Sequence, residues 1–229
     1  MREIVLDTET TGLYPHQGDR IVEIGCVELV NHLATGEVFH VYLNPDRDMP
    51  DEAFRIHGLS EQFLSDKPRF EAIVEDFLGF IDGALLVIHN ASFDMKFLNA
   101  ELARSERPPL SDDQVLDTLE IARRKHPGGS NSLDALCRRF GIDNSERTKH
   151  GALLDSELLA EVYLELIGGR QPNLVLVGSE QQTSTASVRD VKLQPRPQPL
   201  PSRLTDDEAR AHRELIDEIG ENAVWRRFN

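Results

Sequence analysis

Asp7 and Glu9, Asp94, and the pair His150 and Asp155 are the residues whose types and settings could do chemistry. Ile4-Val5-Leu6 reads as a buried strand leading into the first pair, and the two-residue period of a strand puts Val5, Asp7 and Glu9 on one face. Two carboxylates therefore converge at one strand end. Asp94 is followed by Phe97, Leu98 and Leu102 at helical spacing, and Asp155 by Leu158, Leu159, Val162 and Leu166, so both carboxylates sit on apolar helix stripes. A buried, unpaired carboxylate costs several kcal/mol, and no lysine or arginine stands at a matching position in these stretches. A pair of divalent cations is the expected partner.

Two hard cations roughly 3.5 to 4 Å apart would clamp a scissile phosphate, one favouring attack by water and the other the departure of the leaving oxygen. Mg2+ or Mn2+ suits a carboxylate shell, whereas zinc would call for cysteine or more than one histidine. Asp7 is expected to bridge both ions, Glu9 and Asp155 to complete one, and Asp94 to hold the second. His150 and Asp155 lie about 140° apart around a helix, so they converge only if His150 precedes the helix, with Gly151 turning the chain into it. Placed there, the imidazole is the candidate general base. Asp-x-Glu, a helix-start aspartate and a loop histidine each have an ordinary reading alone. Their combination on otherwise apolar faces is what carries the chemistry. Thr10, Thr11 and Gly12, following Glu9, are candidates for holding a terminal nucleotide, and His57 and His89 for structural or substrate-lining roles. Phe93 reads as core.

The elements that must position these groups follow from periodicity. Residues 2 to 7, 21 to 30 and 36 to 43 read as strands, with Ala34-Thr35-Gly36 turning the chain between the last two and short links making them antiparallel neighbours. A helix is expected over about 69 to 81, a doubly buried strand over Ala84 to Ile88, and a strand over Val115 to Asp117. Helices follow near 92 to 105, 117 to 125, 132 to 140 and 151 to 167, with Ser92 and Asn131 or Ser132 as N-caps and Gly141 and Gly168 as stops. The result is a mixed α/β domain.

A chain of 229 residues and net charge −15 has room for one core of about 150 to 180 residues plus an extension. The acidity argues against a broad basic grip on nucleic acid and suits cytoplasmic solubility. Cys26 and Cys137 read as buried free thiols of a reducing compartment. The chain enters a strand without a charged-then-apolar leader, and no apolar run is long enough to span a bilayer, so neither secretion nor a membrane partner is expected. After residue 169 helical periodicity lapses through a Pro- and Gln-rich stretch, 170 to 203, that reads as a flexible linker. Residues 204 to 229 regain it, with a Thr205 and Glu208 capping box and an amphipathic docking helix.

These motifs resemble the DnaQ-like exonucleases of the DEDD type with a histidine in the third motif, and within them the proofreading subunits of bacterial replicative polymerases. The resemblance rests on Val5-Leu6-Asp7-Thr8-Glu9-Thr10-Thr11-Gly12, on His89-Asn90-Ala91-Ser92-Phe93-Asp94, on His150-Gly151-Ala152-Leu153-Leu154-Asp155, and on Asn131 through Cys137. It is dense over residues 1 to 169 and sparse afterwards. It implies a ribonuclease H-like fold with a five-stranded mixed sheet flanked by helices, two Mg2+ or Mn2+ ions, and release of 5'-mononucleotides from a mispaired, single-stranded 3' end of DNA. The implied partners are the polymerase's catalytic (alpha) subunit, a sliding clamp and a small third core subunit. By the same resemblance Gln171, Leu174 and Leu176 read as a degenerate clamp-binding peptide, with plain linker as the alternative, and Leu215, Ile216 and Trp225 as anchors of a polymerase-binding tail, with a tail folded back on its own domain as the alternative. A free-standing exoribonuclease would share the three motifs without needing such a tail. A structural subunit bridging polymerase and clamp would not need an intact constellation.

Overall fold

The computed structural model describes residues 1–147, 149–168, 205–220 and 224. It divides into two compact units, residues 1–175 and 176–229. The first is built on a five-stranded sheet of order β3-β2-β1-β4-β5. β1 (Arg2–Thr10), β2 (Ile21–Val30) and β3 (Leu33–Tyr42) pair antiparallel, as their short links require, and β4 (Leu85–Ile88) and β5 (Val115–Asp117) add parallel strands. Between β3 and β4 run α1 (Asp51–His57), α2 (Glu61–Leu64) and α3 (Phe70–Ile81). α4 (Ala91–Arg104) links β4 to β5, and α5 (Thr118–Lys125), α6 (Leu133–Phe140) and α7 (Ala152–Ile167) complete the unit.

Both faces of the central strands are covered. Ile4 and Leu6 of β1 pack with Phe70, Phe77, Phe97 and Leu98 of α3 and α4, while Val5 and Val87 pack with Leu159 and Tyr163 of α7. The strand period thus sends alternate residues into two cores and carries Asp7 and Glu9 to the α7 side. β1 runs three residues beyond its expected end, because β2 stays paired with it as far as Thr10 and Ile21, through a register shift after Glu9. Such an irregularity re-aims side chains beside a site.

Several local expectations are corrected. The β2–β3 turn falls at Asn31 and His32, both with positive φ, rather than at Ala34-Thr35-Gly36. Asn tolerates that conformation, and two such residues match the twist of a tight hairpin. Ser92 lies inside α4 and does not cap it. Asn90 holds the N-cap position in left-handed conformation, and the Asp117 carboxylate accepts from the N–H groups of Asn90 (3.0 Å) and Ala91 (3.2 Å). Asp117 also caps α5 by accepting from Leu119 N–H at 2.8 Å, so one side chain ties two helix starts to the end of β5. Ser132 caps α6, Gly141 ends it in left-handed conformation, and Cys26 and Cys137 are buried free thiols.

In the second unit α8 (Asp206–Ile219) starts at the expected capping box of Thr205 and Glu208. Leu215 and Ile219 of this helix are exposed and Ile216 half-buried. Trp225, the candidate clamp-binding residues Gln171, Leu174 and Leu176, and the whole of the expected linker lie outside the described residues. No described helix is long and apolar enough to cross a membrane.

Gly25, the cross-strand partner of Asp7, decides where α7 begins. A Cβ there would overlap the backbone of Ala152 and Leu153, and Ser156 donates to the Gly25 carbonyl at 2.8 Å. The first turn of α7, which carries Asp155, therefore rests directly on β2. Gly25→Ala is expected to destabilise the domain by about 1 to 3 kcal/mol, the usual cost of an overpacked core. It should also depress nuclease activity by displacing Asp155. Denaturant unfolding together with turnover of an oligonucleotide checks both.

Candidate active site

Asp7, Glu9, Asp94, His150 and Asp155 line one cavity of about 310 Å³, together with Thr8, His89, Phe93, Asp134 and Arg147. The three motifs, far apart in the chain, thus meet at the ends of β1 and β4 and the starts of α4 and α7. Glu9, Asp94 and Asp155 are buried, and Asp7 keeps part of its surface at the cleft. His150 precedes α7 as its angle to Asp155 demands, with its backbone N–H on the Ile56 carbonyl. Gly151 is not required for that turn, since its φ of −157° is ordinary extended backbone and a Cβ there would meet open space.

The electrostatics are those of too many carboxylates in too little water. Burial pushes Asp7 well above the usual carboxylate range, and the charges of Asp94, Glu9 and Asp155 push it further. Glu9 is pushed up to about 8 by burial, with Asp155, Glu23 and Asp94 adding to it. Asp94 is pushed up to about 7 by burial even though the Thr8 hydroxyl donates to it at 2.6 Å. Asp155 differs. Burial raises it, but hydrogen bonds from Arg147 and His150 outweigh that and hold it below its ordinary value.

Arg147 corrects the expectation that no cation serves these carboxylates. Its guanidinium grips Asp155 through Nε (2.5 Å) and Nη2 (2.7 Å), reaches Asp134 at 2.9 Å, and donates to His150 Nδ1 at 2.7 Å. Periodicity could not find it, because it lies on the loop before α7. Its spacing from His150 and Asp155 is the only trace in the sequence. Glu9, His150 and Asp155 place ligand atoms within 4.8 Å of one another, and the carboxylates of Asp7 and Asp94 face the same cavity. A donor set of carboxylates with one imidazole, in which burial raises the pKa of Asp7, Glu9 and Asp94, fits hard divalent cations.

The candidate nucleotide residues line a second cavity of about 460 Å³, which shares Thr8, Glu9 and Phe93 with the first. Thr10, Thr11, Gly12 and His57 all lie on it, with Leu13, Tyr14 and Ile56. The Thr10 hydroxyl donates to the Gly12 carbonyl at 2.7 Å, and the Thr11 hydroxyl accepts from Arg20 N–H at 3.0 Å, so both also brace their own loop. Gly12 is needed here because a Cβ would run into the Asp19 carboxylate, which holds Tyr14 N–H and Arg47. His57 Nδ1 accepts from Leu59 N–H, which leaves the proton on Nε2, a buried donor that makes no well-formed hydrogen bond among the described residues although the Thr10 backbone lies close enough to favour the protonated ring. Burial lowers the pKa of His57, favouring the neutral ring. Phe93 packs against the core yet also lines both cavities, which its apolar character alone could not reveal. His89 is held between the Thr118 hydroxyl (2.8 Å) and the Asn131 carbonyl (3.0 Å) while it also lines the catalytic cavity.

A family model described as an exonuclease, RNase_T, matches residues 4–163. DNA polymerase III subunit epsilon of Rickettsia prowazekii is 51% identical over 222 residues, covering 96% of this chain and 97% of that protein. Its counterpart in Escherichia coli is 44% identical over 242 residues, covering 98% and 97%. The chain belongs to the DNA polymerase III epsilon family. Among solved structures, the epsilon-family fold is similar to the nuclease domain of 3'hExo, a DEDDh family member bound to rAMP. The TM-score is 0.64 at 20% identity, covering 72% of this chain and 91% of that one. Exonuclease X in complex with 5' overhanging duplex DNA matches with a TM-score of 0.53 at 29% identity, covering 72% and 90%. The ribonuclease H-like architecture expected of the epsilon family is thus present.

Raised carboxylates make stability depend on pH. Folded Glu9 and Asp94 hold protons to about 8 and about 7, whereas in the unfolded chain such groups lose them near ~4. Between those values the folded state binds more protons, so stability falls as pH rises. Thermal melts in EDTA should show falling stability from about pH 5 to pH 8, and Mn2+ should flatten that slope. A rise over this range without metal would contradict the assignment.

Proposed function

We propose that the chain is the 3'-5' exonuclease that proofreads for a replicative DNA polymerase, hydrolysing mispaired 3' ends to 5'-mononucleotides. The observation that carries this reading is the convergence of Asp7, Glu9, Asp94, His150 and Asp155 on one cavity, in a chain whose epsilon-family relatives match nearly end to end.

Asp7, Glu9, Asp94 and Asp155 would hold two Mg2+ or Mn2+ ions, which when bound supply Lewis acidity and charge neutralisation at the scissile phosphate. The neighbouring cavity, with Leu13, Tyr14, Ile56 and Phe93 on its walls, is sized for the terminal base and sugar. His57 offers its Nε2–H there, and its neutral form avoids placing a second titrating base beside His150. His150 accepts the proton of the attacking water. Arg147 Nη2 at 2.7 Å and Asp155 Oδ2 at 3.3 Å both face His150 Nδ1; an arginine can only donate, so while Arg147 holds that nitrogen the ring hydrogen sits on Nε2, and in the other tautomer Nδ1 donates to Asp155 and Nε2 is the acceptor. Proton acceptance at Nδ1 therefore requires Arg147 to release the ring. The side chain of His150 is half exposed at the rim, which leaves room for that exchange.

The same reading assigns the partners. α8, with Leu215, Ile216 and Ile219 on an amphipathic helix, would dock with Trp225 on the alpha subunit of DNA polymerase III. Gln171, Leu174 and Leu176 would engage the sliding clamp. A groove lined by Leu29, Leu33, Val38, Ala160 and Leu164, with Leu33 well exposed, would serve a small third subunit. Tethering of this kind raises the local concentration at the primer end without a strong grip on DNA, consistent with a net charge of −15 and a cytoplasmic replisome.

Mg2+-dependent digestion of 3'-labelled single-stranded and mispaired DNA, beside matched RNA, tests the proposal. The protein should release mononucleotides from DNA ends, and His150→Ala should lower the rate by about 10²- to 10⁴-fold. Preference for RNA would replace the proofreading role with a trimming one, and full activity in the variant would remove His150 from the base role.

A further inference from the structure

A third cavity, of about 510 Å³, opens beside the catalytic one and shares His89, Asn90 and Ser132 with it. Its remaining wall includes Arg123 at the end of α5 and the loop Pro127, Gly128, Gly129 and Asn131 that leads into α6. Arg139 of α6 leans on this loop from behind, donating to the Ser130 carbonyl and the Asn131 side chain at 3.3 Å each, and lying so close to Gly129 that a Cβ there would meet its Nη2 at 2.8 Å. Arg123 is near enough to His89 for its charge to disfavour protonation of that ring.

These two arginines differ from most others in the domain. Arg2, Arg20, Arg47, Arg69, Arg104 and Arg107 each hold a carboxylate. Arg123 and Arg139, like Arg55, Arg124 and Arg138, have no carboxylate in ion-pair range among the described residues, although acids outnumber bases 40 to 25 in the chain, and of these five Arg123 lines the cavity and Arg139 braces its loop. Basic residues in a last helical turn suit the helix dipole. That accounts for their place in α5 and α6 but not for their flanking a polar cavity that continues the catalytic cleft. Carboxylates crowd the reacting end of this cleft, and the side chain of Arg123 lines its far end, with Arg139 behind the loop that walls it. A nucleic acid strand with one phosphate among the acids would find its next phosphates among the bases.

We propose that the cavity between Arg123 and the Gly128-Gly129 loop, backed by Arg139, binds the phosphodiester backbone of the single DNA strand 5' to the scissile bond. It rests on the exonuclease reading. The site recognises phosphate and not base, so it sets the affinity for strands longer than the terminal nucleotide. Arg123 is a direct phosphate donor, and Arg139 supports the loop and the positive potential.

The test compares an octathymidylate with the p-nitrophenyl ester of thymidine 5'-monophosphate, which has no nucleotide beyond the reacting one. In the full chain with Mn2+, the Arg123→Ala, Arg139→Ala variant should lose about tenfold in the ratio of kcat/KM for the octamer over the ester. The salt dependence of octamer cleavage should flatten by about 0.7 in log–log slope for each phosphate that the variant no longer neutralises. The paired lysine variant, which keeps the charge, should retain most of the ratio. An unchanged ratio, including a parallel fall on both substrates, would overturn the proposal. Octamer binding in Ca2+, followed by fluorescence anisotropy, judges the cavity separately. Wild-type protein that binds but does not cleave would sink the exonuclease reading, while a weaker, less salt-dependent affinity in the alanine variant would still support the cavity and an unchanged affinity would dismiss it.

Discussion

Asp7, Glu9, Asp94 and Asp155 crowd one small cavity that Asp134 also lines, and their mutual repulsion in a poorly hydrated place is the constraint on which the rest of the structure depends. Asp7, Glu9 and Asp94 answer it by holding protons above their ordinary range, and Asp155 by holding Arg147. The first answer is incompatible with binding divalent cations, which needs ionised ligands, and the second leaves Asp155 ionised but with both oxygens held by the guanidinium. The resting site therefore carries its own means of neutralisation, to be exchanged when metal and substrate arrive. A scaffold has to hold the groups together against this repulsion. The doubly covered β1, the cap of Asp117 on α4 and the seat of α7 on Gly25 are what oppose it.

The same constraint organises the cleft along its length. Negative groups are concentrated where metal ions would bring positive charge, a mostly apolar cavity with one imidazole N–H lies where a terminal nucleoside would fit, and Arg123 stands beyond on a wall braced by Arg139. An acidic chain can thus act on a polyanion locally, provided something else holds the polyanion. Epsilon-family membership and the amphipathic α8 both favour a tethered enzyme of that kind.

Much of this was legible in the sequence because burial contradicts charge there. Asp94 and Asp155 stand on stripes of leucine and phenylalanine, and the two-residue period forces Asp7 and Glu9 together, so periodicity alone puts the acids inside. The five strands and the longer helices followed from the same periods. What escaped was whatever depends on loops or on single contacts. Arg147 approaches from a loop, and a guanidinium on a long side chain can reach Asp155 from many backbone positions. The Asn31-His32 turn was hidden because Gly36 offered a stronger turn signal, although glycine there serves an irregular stretch of β3. α1 and α2 are too short and too exposed to show a period, yet α1 carries His57 into the second cavity. Gly25 sits in an unbroken apolar run, where only the approach of another backbone explains it.

Proton exchange is the most direct measure of whether the carboxylates are charge-starved until cations arrive. Calorimetric titration of Mn2+ into the metal-free protein at pH 7, in two buffers of different protonation enthalpy, counts the protons released. With Glu9 near 8 and Asp94 near 7 in the empty site, about one proton or more should leave per chain as the site fills. Binding without proton release would mean that the carboxylates are already ionised, and the account of the site as a cluster neutralised first by protons and then by metal would be wrong.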